Sequence, residues 1–497
     1  MRLTDYEKSM LNGDQGEMRR QAMEALCDLA RFYDVEEFVE VVGCHDDSTV
    51  YAGEAQVAFA EHLAGHGAKF AVPTTTNATA CDINLWDRQK HEVETMAATR
   101  RIEAAHVKMG AIPTWSCAPY HVGMAPSFGQ QFASAESNVI CYYNSIIGAR
   151  TNRYAGPLEL LCGIAGRVPY FGLHVPENRY AQGLVKLGDD IRPEYFEEED
   201  IFNLVSYAYG SIVADRIWAL EGMPSKGITN EILKQFSATA ASSGGIALFH
   251  MIGVTPEAQT KEQAFNGKEP QEVVEIHLSH LAEAERQITN PDVTDIDAVV
   301  LGCPHCSYNE CARIEELFRG RRVHDNVNFW LITPRSVNDR LKDSGLYERL
   351  TRLGVEIYCD GCILEYRNKN LGTKTMMSNS GKFDTYCFSM RGLQPVFGSM
   401  KECIESAVAG KVLAFTTPKG SSGTGLIILE QIRTGCAPAA IINLRSDPVV
   451  LTGPIIAKRF YNVDIPVVNI SEEDYAKLEG AKEVEFFADR DEIHVYY

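Results

Sequence analysis

No stretch of this 497-residue sequence approaches the roughly 18 consecutive apolar residues that a membrane-spanning helix needs. The opening Met1-Arg-Leu-Thr-Asp-Tyr-Glu-Lys8 lacks the apolar core of an export signal, so the expectation is a cytoplasmic protein. An excess of basic residues is also missing: 47 Lys and Arg face 67 Asp and Glu, a formal charge of -20. That balance disfavours nucleic acid and acidic membrane surfaces as partners, and it admits a small anionic substrate only at a locally positive site. There is no Gly/Ser linker, low-complexity tract or internal repeat. The glycine-rich Pro418-Lys-Gly-Ser421-Ser422-Gly-Thr-Gly425 is not a Walker loop, because no Gly-Lys-Ser/Thr follows at the required spacing.

What is present points to an α/β protein. With 45% hydrophobic residues the chain can bury sizeable cores, and its length suggests two to four domains. Apolar runs alternate with helix-like stretches, most clearly between Asp295 and Cys362. Ile296–Leu301 reads as a strand ending in Gly302-Cys303-Pro304-His305, followed by a helix around Ala312 to Phe318. Phe329–Thr333 reads as a second strand, Val337–Leu353 as a helix, and Val355–Tyr358 as a third strand running into Asp360-Gly361-Cys362. Right-handed crossovers make such strands parallel, which opens the turns holding Cys303 and Cys362 on one edge of the sheet.

Earlier in the chain, Asp14 to Glu17 has capping-box spacing ahead of an amphipathic helix. A strand around Phe38 to Val42, a helix ending near Gly65 and a strand Phe70–Val72 follow. Pro73-Thr-Thr-Thr-Asn77 then reads either as a turn or as substrate-facing donors at a strand's carboxyl end. Ile112 to Cys117 is another apolar stretch ending in cysteine, and Ala133 to Asn138 is helix-like. The charged stretches 185 to 200 and 258 to 290 read as solvated helices and connections. A domain boundary falls near Gly410. Beyond it come a strand Lys411–Phe415, the glycine-rich turn, a helix Leu426–Ile432, and strands around Ala439, Val449, Ile465, Val484 and Ile493. A glycine-rich turn before a helix suits an anion or an activated hydroxyl.

Fourteen cysteines without an export signal imply free thiols, some of them metal ligands. Two arrangements compete on spacing alone. Cys303-Pro-His-Cys306 and Cys359-Asp-Gly-Cys362 could bind a structural zinc with four thiolates, but Cys306 and Cys359 are 53 positions apart, against about 15–20 in common zinc ribbons. Alternatively Cys117, Cys303 and Cys362 could surround an iron–sulfur centre and leave iron coordination open to a substrate.

Several ordered blocks carry a resemblance that covers nearly the whole chain. Pro113-Thr-Trp-Ser-Cys-Ala-Pro-Tyr120, Ala135-Glu-Ser137, Gly148-Ala-Arg-Thr-Asn-Arg153, Gly172 to Arg179, Ser242 to His250, Leu301 to His305 and Ser378-Asn-Ser-Gly-Lys382 resemble the large domain of the aconitase X family. Lys411 to Val468, with Gly420-Ser-Ser422, resembles that family's small swivelling domain. The resemblance implies a large multi-layer α/β/α domain over 1–405, with parallel sheets, and a small, shortened β-rich domain over 406–497. It implies an iron–sulfur hydro-lyase, members of which dehydrate cis-3-hydroxy-L-proline or phosphomevalonate, the latter generally as separate large and small subunits. Carried over, the cluster ligands are Cys117, Cys303 and Cys362, the catalytic serine is Ser421, and the substrate contacts are Asn77, Glu136, Ser137 and Lys382. A non-catalytic metal-binding paralogue is the alternative of another class. Gln130-Gln131, Ala78 and Pro176 depart from the family pattern and are expected near the substrate. The implied substrate is a small β-hydroxy carboxylate, cis-3-hydroxy-L-proline ahead of mevalonate 5-phosphate.

Overall fold

The computed structural model describes residues 1–224, 226–293, 296–324, 326–366, 372–408, 412–415, 438–446, 448–461, 463–481, 483–487 and 492–496. The expected sheet between Asp295 and Cys362 is present and larger than expected. Five parallel strands lie in the order Glu356–Cys359, Asn328–Thr333, Ala298–Leu301, Thr375–Ser378 and Gln394–Phe397. Both of its faces are buried, which is why its strands read as unbroken apolar runs. Val299, Leu301, Phe329, Leu331 and Ile357 pack on one face, and Ala298, Val300, Trp330, Ile332 and Tyr358 on the other. Each such side chain contributes about 1.5–3 kcal/mol on burial. The helix expected over Val337–Leu353 is two helices, Arg335–Asp343 and Leu346–Arg352, broken where Gly345 turns left-handed at φ 70°.

A second, four-stranded parallel sheet runs His250–Met251, Trp218–Glu221, Gly183–Leu187 and Val273–Ile276. The charged stretches expected to be solvated therefore contain two of its strands. Helices Asp200–Val213 and Asn230–Gly244 cover this sheet with Phe202, Tyr209 and Phe236. A third, three-stranded parallel sheet has the order Thr74–Thr76, Cys44–Asp46, Ala133–Ser134. Phe70–Val72 is not a strand; the polar residues thought to follow it form the strand instead. Thr74, Thr75 and Thr76 are buried, and their hydroxyls bond Val72 O, His45 Nδ1 and Ile112 O. Phe38–Glu40 pairs antiparallel with Arg167–Pro169. The helix Glu17–Phe32 starts at Gly16 with no side-chain cap, so the spacing from Asp14 to Glu17 does not form a capping box.

Beyond residue 408, Val412–Phe415, Ala440–Asn443 and Val467–Asn469 form a parallel sheet, and 483–487 pairs antiparallel with 492–496. Val449 lies in the helix Pro448–Ile456 rather than in a strand. The glycine-rich turn Pro418–Gly425, with Ser421 and Ser422, and the helix expected at Leu426–Ile432 lie outside the described residues.

One buried ion pair joins the second sheet's layer to the five-stranded sheet's layer. Lys234, on the helix Asn230–Gly244, reaches Glu310 Oε2 at 2.5 Å and His305 O at 3.1 Å, holding the loop after Cys303 in place. Removing one partner of a buried pair costs about 3–5 kcal/mol, whereas apolar replacement of both is far cheaper. Lys234→Met should therefore lower the first thermal unfolding transition sharply, and Lys234→Met with Glu310→Leu should restore most of it. An equal loss in both would show that packing, rather than the unpaired charge, sets the cost.

Candidate active site

Strands of a parallel sheet present their carboxyl ends on one edge, and here two such edges face each other. From the three-stranded sheet come Asp47, directly after Cys44–Asp46, and Asn77, directly after Thr74–Thr76. Glu136 and Ser137 follow Ala133–Ser134, where Glu136 caps the helix Ser137–Tyr142 by accepting the Val139 N–H at 2.7 Å. From the five-stranded sheet come Cys303 after Ala298–Leu301, Cys362 after Glu356–Cys359, and Lys382 after Thr375–Ser378. Lys382 sits in the first turn of the helix Gly381–Tyr386, which Ser380 caps.

Two residues stitch the edges together. Thr79 pairs with Gly361 as an extra strand position would: its N–H donates to Asp360 O and its carbonyl accepts the Cys362 N–H, both at 2.7 Å. His305 links all three cysteine loops. It follows Cys303, donates its backbone N–H to Cys117 Sγ at 3.3 Å, and places ring Nε2 3.2 Å from Gly361 O. Glycine is required at two of these turns. A Cβ on Gly302, at φ +118°, would lie 2.2 Å from Ile332 O, and one on Gly361 would lie 2.6 Å from the Tyr366 ring. The loop carrying Cys117 is tied in turn to the third sheet, since the Ser116 N–H donates to Thr76 O at 3.1 Å.

Between the edges lies a cavity of about 680 Å³ lined by Asp47, Asn77, Glu136, Ser137, Cys362 and Lys382, among others. Lys382 Nζ donates to Glu136 Oε1 at 2.5 Å and to Ser137 Oγ at 3.3 Å. Burial pulls the Lys382 pKa down, but the charges of Glu136, Cys303 and Cys117 outweigh burial and hold it above the usual lysine value. Burial, with the charge of Glu136 added, pushes the Asp47 carboxyl up to about 7, while the Asn77 hydrogen bond and Lys382 oppose the rise. Also at the cavity lining, His106 Nε2 lies 3.0 Å from Asp46 Oδ2, and His106 Nδ1 lies 2.8 Å from Ile102 O. Burial opposes a charge on this ring, but the Asp46 carboxylate beside it outweighs burial and holds its pKa above the usual imidazole value.

Of the residues expected from the sequence, Asn77, Glu136, Ser137, Lys382 and Cys362 line one cavity. Cys117 and Cys303 stand beside it, within electrostatic reach of Cys362 and Lys382. Ser421 lies outside the described residues. The four-thiolate zinc arrangement fails on geometry. Cys306 packs into the opposite face of the five-stranded sheet from Cys303 and meets Cys311, while Cys359 lies in the fields of Asp82 and Arg335. Among the described residues, no three His, Cys, Asp or Glu side chains converge on one ion. Of the departures from the family pattern, Ala78 adjoins the cavity-lining Asn77, whereas Gln130, Gln131 and Pro176 do not line the cavity. Gln131 pairs with His174 and exposed Gln130 accepts the Ser127 N–H, while Pro176 opens a short turn in which Arg179 bonds Glu257. Sequence reasoning missed Asp47, His106 and His305. Cys44-His-Asp-Asp47 gave no signal because the strand is polar, three residues long and wholly buried.

The donor set suits a polynuclear cluster. Three soft thiols from three loops lie within electrostatic reach of one another, the donor type that iron–sulfur centres take. Burial pushes Cys303 up to about 11 and Cys117 up to about 12, so these thiols ionise only with a strong cation nearby. The His305 N–H already points at the Cys117 sulfur.

This geometry, with parallel sheets converging on a thiol- and carboxylate-lined cavity and a C-terminal sheet following, defines a multi-module α/β protein with an enzyme-like cleft. The chain belongs to the aconitase X family: profiles for that family's first, second, third and swivel domains match residues 1–177, 181–286, 296–409 and 395–495. It is 32% identical to a cis-3-hydroxy-L-proline dehydratase of Pseudomonas aeruginosa, over 82% of this chain and 70% of that one. It is 31% identical to the phosphomevalonate dehydratase large subunit of Methanosarcina mazei, over 83% of this chain and 98% of that one. The holo form of Thermococcus kodakaraensis aconitase X superposes with a TM-score of 0.73 at 28% identity, covering 82% of this chain and all of that one. The protein is accordingly a hydro-lyase acting on a small molecule. No described helix is long and apolar enough to cross a membrane.

The cavity's charges are coupled, and this can be tested. Glu136→Gln removes the charge that helps raise Asp47 while retaining an oxygen for the Val139 N–H. The Asp47 carboxyl should then titrate below 7, toward the ordinary carboxylate range, when followed by carbon NMR of labelled aspartate. An unchanged midpoint would mean that burial alone raises it.

Proposed function

We propose that the protein is an iron–sulfur-dependent dehydratase whose substrate is cis-3-hydroxy-L-proline or a close β-hydroxy α-amino acid. One observation carries the choice of substrate: the charge balance of the cavity. Its described lining includes the carboxylates Asp47, Glu136 and Glu365, no arginine, and one lysine, Lys382, already partnered by Glu136. A phosphate group calls for several cationic or N–H donors, so mevalonate 5-phosphate suits this lining poorly. A zwitterion with one carboxylate and one cationic nitrogen suits it well. The catalytic region is assigned to residues 1–405 and the small domain to 406–497.

The reaction removes a proton from the carbon bearing the carboxylate and hydroxide from the neighbouring carbon, so both ends need assistance. Lys382 has three N–H donors, of which Glu136 and Ser137 take two. The remaining donor is assigned to the substrate carboxylate, where a fixed positive charge stabilises the negative charge that builds up as the α-proton leaves. Ser137 and Asn77 orient the carboxylate and ring, and Ser421 is assigned as the group that accepts the α-proton. Cys117, Cys303 and Cys362 would hold the cluster, which when bound supplies a Lewis-acidic iron for the departing oxygen. Every described cysteine is a free thiol, in keeping with a reducing cytoplasm.

Anaerobically reconstituted protein should dehydrate cis-3-hydroxy-L-proline and leave mevalonate 5-phosphate unchanged; the reverse preference would overturn the assigned substrate. Cys117→Ser, Cys303→Ser and Cys362→Ser should each lose activity, visible absorption and bound iron, whereas Cys306→Ala and Cys359→Ala should keep most of all three. A general base typically contributes about 10²–10⁴-fold. Ser421→Ala should lower turnover by that order with the cluster intact, and should stop exchange of the substrate α-hydrogen with deuterated solvent, while Ser422→Ala should be much milder. Exchange at the wild-type rate in Ser421→Ala would assign the base elsewhere.

A further inference from the structure

The chemistry above leaves the acidic side chain of Asp47, which lines the cavity, without a task. Asp47 stands where the strand Cys44–Asp46 runs out into the cavity, its backbone N–H donating to Glu159 Oε1 at 2.9 Å and one carboxylate oxygen taken by Asn77 Nδ2. Its other oxygen makes no hydrogen bond to a described residue. The charged groups around it are Glu136 and Lys382 in the cavity wall, Asp46 next in the chain and Glu159 beneath, with Glu365 and His106 completing the charged lining. Both cations are engaged elsewhere, Lys382 by Glu136 and His106 by Asp46. Asp47 is therefore a cavity-lining carboxyl anchored at its backbone, with one oxygen held by an amide and the other without a described hydrogen bond or countercharge.

We propose that the Asp47 carboxylate holds the cationic nitrogen of the substrate, and so selects β-hydroxy α-amino acids over β-hydroxy acids without nitrogen. The proposal rests on the dehydratase reading above and names the residue that sets its substrate class. A rise of the carboxyl pKa to about 7 is expected of a carboxylate lacking a countercharge. The sign of its pH dependence follows. Above pH 7 the free site is ionised and ready for a cation. Below it, a bound cation must displace the carboxyl proton, so affinity falls as pH falls and binding releases up to one proton.

The test compares L-proline with cyclopentanecarboxylate, which has the same ring size and carboxylate but no nitrogen, by titration calorimetry on the full-length, cluster-loaded protein. Wild type should prefer L-proline by at least about tenfold, as expected of a charge-assisted hydrogen bond. Asp47→Asn should bring the two ligands near parity, and Asp47→Glu should keep part of the preference. At a pH of about 6, binding of L-proline to wild type should release about one proton, seen as a dependence on buffer ionisation heat, and cyclopentanecarboxylate should release none. This readout decides the matter even if Asp47→Asn does not fold. Absence of a preference in wild type, failure to bind either ligand, or survival of the preference in Asp47→Asn would overturn the proposal. If the preference and its loss are both seen while cis-3-hydroxy-L-proline is not dehydrated, the nitrogen site stands and the substrate assigned above falls.

Discussion

The contact between two sheet edges, made by Thr79 and His305, is the constraint on which the site depends. Cys117, Cys303 and Cys362 are separated by 186 and 59 positions in the chain and come from three loops. Backbone hydrogen bonds from Thr79 to Asp360 and Cys362, and from His305 to the Cys117 sulfur, fix the loops' spacing before any cofactor arrives. Hydrogen bonds of this kind are worth only about 0.5–1.5 kcal/mol each, so they specify geometry rather than supply the fold's stability. The stability comes from the doubly covered sheets behind them, and Lys234 couples one sheet's covering helix to the loop that the other sheet presents.

Electrostatics then divides the cavity into two halves. On the thiol side, burial makes negative charge costly, and only a multivalent cation can offset it. On the carboxylate side, Lys382 is committed to Glu136 and His106 to Asp46, and Asp47 is left without a partner cation. The formal charge of -20 had suggested that an anionic substrate would need a locally positive site. The lining described here is not positive, which is why a zwitterion fits it better than a phosphorylated acid.

How much the sequence disclosed depended on whether a segment's burial followed its polarity. The stretch from Asp295 to Cys362 could be read from its residues alone, because strands such as Ala298–Leu301 are apolar and end in glycine turns that only one backbone path allows. The three-stranded sheet could not. Thr74–Thr76 and Cys44–Asp46 are buried although polar, with side chains such as His45 and Thr75 hydrogen-bonding each other, a pattern indistinguishable from a loop without the fold. That concealment hid Asp47, and His106 went unseen as a lone buried histidine on the helix Val93–Met109, whereas Asn77, Glu136, Ser137 and Lys382 were reached through family resemblance. The rejection of the paired C-x-x-C zinc site was likewise out of reach of spacing, since it rests on Cys303 and Cys306 packing against opposite faces of one sheet.

The account's central claim is that the seam between the two sheet edges is where both cofactor and substrate bind. The most direct measurement is anomalous scattering at the iron edge from crystals of the cluster-loaded protein, grown without oxygen and soaked with L-proline. The account predicts iron inside the triangle of Cys117, Cys303 and Cys362, and ligand density between Lys382 and Asp47. Iron bound at Cys306 or Cys359, or ligand density in another cavity with the space beside Lys382 empty, would contradict it.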